Sequence, residues 1–192
     1  MTVPVSELQK TNPSSLIELF SLTLDSTLHG NSDIYYFHNG SSPNANGEVI
    51  WNGQSYLRYP ISCSGFSQSG NSSLPRPRLI ISNMLSLLTA LMLDTNLVTP
   101  GVDLNGSTLT RIRTLARYLD AANWSTGTNP YGTPSPTTEL PRQVFYLDRK
   151  VTENREFVEW ECASAFDLAF GPKVPKRLVT RTNFPGVGSF VA

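Results

Sequence analysis

The sequence is short of charge. Lysine and arginine total 15, aspartate and glutamate total 15, and charged residues make up only 16% of the 192, against roughly a quarter in an ordinary soluble domain. No excess of one sign exists, which argues against a nucleic-acid binder and against a polybasic membrane-surface protein. Cysteine is scarce as well. Cys63 and Cys162 are the only two, too few for a four-thiolate zinc site or an unaided iron–sulfur cluster. No apolar run approaches the roughly 20 residues of a membrane-spanning helix. The longest candidate, Met84–Leu93, is broken by Ser86 and Thr89. The N-terminus lacks a basic stretch followed by an apolar one, so no secretory signal is expected and synthesis in the cytoplasm is. Few charges at zero net charge suit a free monomer poorly and point to a surface partly covered by partners.

What is present is β-rich. Hydrophobic residues are 39% and aromatics 10% of the chain, enough for a sizeable core and too many for disorder. Period-two alternation marks Leu16–Leu24, Ile34–Phe37, Arg78–Ser82, Arg142–Val151 and Phe157–Leu168 as strands. Asn52-Gly53 lies between two β-prone runs, and both residues tolerate the positive φ of a primed hairpin turn. Thr108–Leu119 is read as a strand carrying Arg111, Arg113 and Arg117 on one face. In the last run Val158, Trp160, Cys162, Ser164, Phe166 and Leu168 form the dry face, with Glu159, Glu161 and Asp167 on the wet one. One helix is expected from Ser82-Asn83 through MLSLLTALML, apolar nearly all round and therefore buried on several sides. Loops fall at Asn39–Asn46, Ser67–Ser73 and 124–141, the last with four prolines and two glycines, and the tail from Lys173 reads as irregular. The expected fold is mainly β, an antiparallel barrel or sandwich-like unit with one short buried helix. It spans 1–192 as a single unit, or as two packed β subdomains (about 1–123 and 142–192) joined by the 124–141 loop.

Catalytic patterns are thin. His29 and His38 have no partner at i+4 and read as surface or turn residues. No G-x-S-x-G elbow and no phosphate loop occurs. Glu153, Glu156, Glu159 and Glu161 offer carboxylates for glycoside chemistry, but the polar face of a strand explains them better. The arginine stripe suits ion pairing with the chain's own acids or with a partner subunit. No enzyme activity, metal or cofactor is expected; the chain reads as a structural or interaction protein.

Several short motifs stand in order along the chain. They are an aromatic strand, then Trp51, Gly53 and Tyr56 of a W-x-G-x-x-Y hairpin, then Tyr59, Pro60, Ile61, Ser64, Gly65 and Phe66. Arg76, Pro77, Ser82 and Asn83 follow, then Tyr118, Leu119, Asp120, Asn123 and Trp124, and finally Phe184–Gly186. Taken together they resemble the minor tail protein L family of lambda-like tailed phages. The resemblance implies a β-rich, structural tail-tip component of a siphophage virion, similar to baseplate hub domains and assembled as a trimer around the tail axis. It implies the distal tail protein and the central fibre or hub protein as neighbours, with the tape-measure protein as a further one, and neither nucleic-acid binding nor membrane insertion. Longer family members carry a cysteine-rich iron–sulfur module beyond the Phe-Pro-Gly region. Here six residues follow Gly186 and neither cysteine lies past 162, so a short form without the cluster is expected. Interaction candidates are Arg111, Arg113 and Arg117, with charge reversal at the first two expected to block assembly without unfolding. Trp124 and Tyr131 are candidates for the alternative, a receptor- or carbohydrate-binding module in which sugar rings stack on exposed aromatics.

Overall fold

The computed structural model describes residues 2–67, 74–165, 167 and 180–186. Most of the Ser67–Ser73 cluster, the Phe166 and Leu168 positions, and most of the tail from Lys173 lie outside those residues. Nine strands form one hydrogen-bonded sheet: β1 (Leu16–Thr23), β2 (Ile34–His38), β3 (Val49–Trp51), β4 (Gln54–Arg58), β5 (Ile61–Ser64), β6 (Arg78–Ser82), β7 (Thr108–Leu115), β8 (Gln143–Glu153) and β9 (Phe157–Ala163). Their order is β3-β4-β2-β1-β7-β8-β9-β6-β5. Every pairing is antiparallel except β2 with β4, which is parallel. The mainly β class therefore holds, as an open, sandwich-like sheet and not as a closed barrel.

The sheet folds back on itself because of one short link. β4 lies near one end of the strand order and β5 at the other, yet only Tyr59 and Pro60 separate them. The Tyr59 amide donates to the His38 carbonyl at 2.9 Å, continuing the β2–β4 pairing. The Pro60 carbonyl accepts from the Ser82 amide at 2.9 Å, continuing the pairing with β6. Proline suits this position, since it can accept here but has no N–H to leave unpaired.

Central β1 is buried on both faces. Phe20 and Leu22 enter a large core with Leu79, Ile81, Leu109, Leu147, Val158, Trp160 and Cys162. Leu19, from the opposite face, joins Val49, Trp51, Tyr56, Ile112 and Leu119 in a second core. Alternating side chains of one strand thus feed two cores. The β3–β4 hairpin closes as expected, with Trp51 opposite Gln54 and φ of 54° at Asn52 and 72° at Gly53.

Four expectations need correction. The helix α3 (Leu87–Val98), preceded by a 3-10 turn at Met84–Ser86, is not buried on several sides: only Met92 and Thr95 are inside. Two further four-residue helices occur, α1 (Val5–Leu8) and α2 (Ser26–His29). The Thr108–Leu119 run leaves the sheet at Leu115 and turns through a 3-10 segment at Ala116–Tyr118. Both histidines are buried, not on the surface. His29 Nδ1 meets the Asp25 backbone in the α2 turn, and His38 Nε2 lies 2.9 Å from the Gly47 carbonyl. Burial lowers the His38 pKa, favouring the neutral ring.

Candidate interaction surfaces

α3 is tied down at both ends. Asn83, itself buried, accepts from the Thr89 amide at 3.3 Å and donates to the Thr89 hydroxyl and to the Asn154 carbonyl. Near the C-terminus Asn96 donates to Asp103 Oδ1 at 2.7 Å and accepts from the Asp103 amide at 3.0 Å. At the close α2–α3 approach, a Cβ at Gly30 would fall 2.8 Å from a Val98 methyl, so only glycine fits. The helix is therefore held in place while most of its apolar surface faces outward. Leu93 and Leu97, spaced i, i+4 on one face, are 63% and 84% exposed. Leu87, Leu88 and Leu91 line a cleft of about 590 Å³ with Ile34, Tyr35, Leu57 and Tyr59. Ile34, Tyr35, Leu57 and Leu87 are themselves exposed. A contiguous apolar face of this kind is unusual on the surface of a free domain.

The three arginines are not one stripe. Arg111 pairs with Glu18 across β1–β7, donates to Gln143 Oε1 at 2.8 Å, and lies 4.1 Å from the centre of the Phe66 ring. Arg113 sits opposite Glu18 on β1 with its Nε buried and unpartnered among the described residues. Arg117 belongs to the 3-10 turn and donates to Glu7 Oε1 at 2.6 Å. Charge reversal at Arg111 would break contacts inside the chain, so it reports on folding before it reports on assembly.

Trp124 and Tyr131 do come together, edge to face with centroids 6.2 Å apart. Their loop is pinned by Asn129, whose Nδ2 lies 3.0–3.1 Å from the carbonyls of Ala116, Arg117 and Leu119 and whose Oδ1 accepts from the Tyr131 amide. Beneath the loop Arg117 passes so close to Gly132 that a Cβ there would fall 2.6 Å from Arg117 Cγ. Sequence reasoning missed Glu7, Asn129 and the outward face of α3.

The motif stretches prove to be joined in space. The Gly53 amide donates to Asp120 Oδ2 at 2.7 Å, the Asn123 side chain pairs with the Ile50 backbone, and the Tyr59 hydroxyl donates to the Ser82 carbonyl at 3.1 Å. A family model described as phage minor tail protein L matches residues 27–185, nearly all of this framework. The chain belongs to the phage minor tail protein L family. Over 101 residues it is 38% identical to tail tip protein L of Escherichia phage lambda, a match covering 52% of this chain and 40% of that relative. The chain thus spans well under two thirds of the curated relative it matches. Membership in the minor tail protein L family makes it a structural component of a phage tail, and so of the virion. The quoted minor tail protein L motifs hold the fold: Trp51 and Tyr56 fill the second core, and Asp120 and Asn123 fasten the β3–β4 hairpin to the segment after β7.

Proposed function

We propose that the chain is a structural adaptor of the tail tip, seated between the distal tail ring and the central fibre or hub protein. In this reading it assembles with copies of itself as a trimer around the tail axis of a siphophage, with the tape-measure protein as a further neighbour. It is made in the host cytoplasm, carries out no reaction and needs no cofactor. The observation that carries the reading is the outward apolar face of α3. Leu93 and Leu97 are anchored in an exposed position by Asn83 and Asn96, and burying one such leucine against a neighbour is worth about 1.5–3 kcal/mol. The low charge of the chain agrees, since ring interfaces bury uncharged surface between protomers.

The test is the double variant Leu93→Glu/Leu97→Glu. Its free chain keeps its circular dichroism and its stability within about 0.5 kcal/mol, as surface changes usually do. Tail tips assembled with it are expected to be missing or defective, while unaltered particles show threefold density for this chain by cryo-electron microscopy. Normal infectious particles from the variant, or sixfold density, would overturn the reading.

A further inference from the structure

A second cavity, of about 540 Å³, opens between α1, the segment after it, and the pinned 124–135 loop. Its size is that of an ordinary small-molecule pocket. Glu7, Lys10, Ser14, Arg117, Trp124 and Tyr131 line it. We propose that this pocket binds a neutral pyranose ring.

The wall chemistry makes the choice. Trp124 and Tyr131, with their rings inclined at 63°, form an angled aromatic platform with Tyr131 59% exposed, and an exposed ring of this kind suits the C–H face of a sugar. The Glu7 side chain is only 5% exposed, and its Oε1 takes both Lys10 Nζ at 2.5 Å and Arg117 at 2.6 Å. Its Oε2 is left without a hydrogen bond among the described residues. The Lys10 hydrogen bond, with help from Arg117, holds the carboxyl below its usual range, so it is an acceptor at neutral pH. Ser14 Oγ is buried in the same wall with no partner among the described residues, and an unmet hydroxyl of this kind is costly until something bonds it. An anion would meet Glu7, a cation would meet Lys10 and Arg117, and a wholly apolar ligand would leave the polar wall unpaired. A ring with one apolar face and hydroxyls that both donate and accept matches every side. Asn129 fixes the platform in advance, so little ordering cost falls on binding.

The readout is built in. Of the three tryptophans, Trp51 and Trp160 are 1% and 0% exposed, so Trp124 alone borders a pocket that ligand can reach. The whole protein is titrated with methyl glucoside, methyl galactoside and methyl mannoside to about 100 mM, past the millimolar Kd expected of a single sugar ring, while tryptophan emission is followed. At least one probe is expected to give a saturable change, and Tyr131→Ala, at an exposed position, should weaken it by about tenfold, or 1.4 kcal/mol. No saturable change with any probe, or one that Tyr131→Ala leaves intact, overturns the proposal. The site uses no residue of α3, so its failure leaves the adaptor reading standing, and the reverse holds too.

Discussion

Asn123 pairs with the backbone of Ile50 as a strand would. Its Oδ1 accepts from the Ile50 amide at 2.7 Å and its Nδ2 donates to the Ile50 carbonyl at 2.6 Å. The side chain is 2% exposed and also donates to the Asp120 carbonyl at 2.8 Å. Asn123→Ala leaves the Ile50 amide without a partner, and the Ile50 carbonyl with only the Asp120 amide at 3.3 Å, and should cost about 1–3 kcal/mol. Urea denaturation should show a lower midpoint with an unchanged slope. An unchanged midpoint would mean the pair is not what fastens the β3–β4 hairpin.

Glu161 gives the fold an acid-sensitive point. It projects from β9 on the face opposite Cys162, yet it is 8% exposed because Arg76 donates to one oxygen at 2.9 Å and Arg149 to the other at 2.6 Å. The Arg76 hydrogen bond, then that from Arg149, holds its carboxyl below the ordinary value of 4.5. A carboxyl depressed on folding stabilises the protein above its unfolded pKa, and that contribution is lost as pH falls through the folded value. Glu161→Gln should therefore lower stability by about 1 kcal/mol at pH 7, a modest figure because both arginines are largely in solvent. It should also flatten the decline of melting temperature below the ordinary carboxylate range. Parallel pH–Tm curves for the two proteins would refute the assignment.

The thiols should be inert in the native state. Burial pushes the Cys63 thiol up to about 12 and raises that of Cys162 as well. Cys63 and Cys162 lie on β5 and β9, with β6 between them, so about 9.5 Å of interstrand spacing separates the strands. That is too far for a disulfide. Iodoacetamide at pH 8 should label native protein at least about a hundredfold more slowly than a free cysteine, because the thiolate is what reacts. In urea both positions should label fully. Intact-mass spectrometry decides, and rapid native labelling would show that burial does not protect these thiols.

Local features of the fold were readable where one residue type dictates a backbone angle or a face. Asn52-Gly53 announced its turn because both residues accept positive φ. Val158, Trp160 and Cys162 announced their face by alternation. What alternation could not supply was the partner. Glu161 shares its face with Glu159 and reads as wet, and it is dry only because Arg76, from the segment before β6, and Arg149, from β8, reach it. His29 and His38 lack metal-site spacing, yet that spacing is silent on burial, which the Asp25 and Gly47 backbones provide. The helix failed differently. Its all-round hydrophobicity correctly signals an aversion to water, but the covering surface need not belong to the same chain. The parallel β2–β4 pair and the insertion of β8 and β9 between β7 and β6 are long-range choices with no local signature. The pocket was half legible: Trp124 and Tyr131 stood out, whereas Glu7 and Ser14 reach it only through the tertiary fold.

The strand order also sets a timetable for the ribosome. β6 emerges early, and β5 can zip to one of its edges at once. The other edge must wait for β9, which is synthesised after every other strand of the sheet. Through that interval Arg78–Ser82 presents unpaired backbone groups flanked by Leu79, Ile80 and Ile81, the kind of strand edge that invites pairing with another nascent chain. Charge at the N-terminal end of the exposed stretch then matters before β9 exists. Arg76 and Arg78, later the partners of Glu161 and Glu159, are already in place during translation to keep neighbouring copies from zipping together.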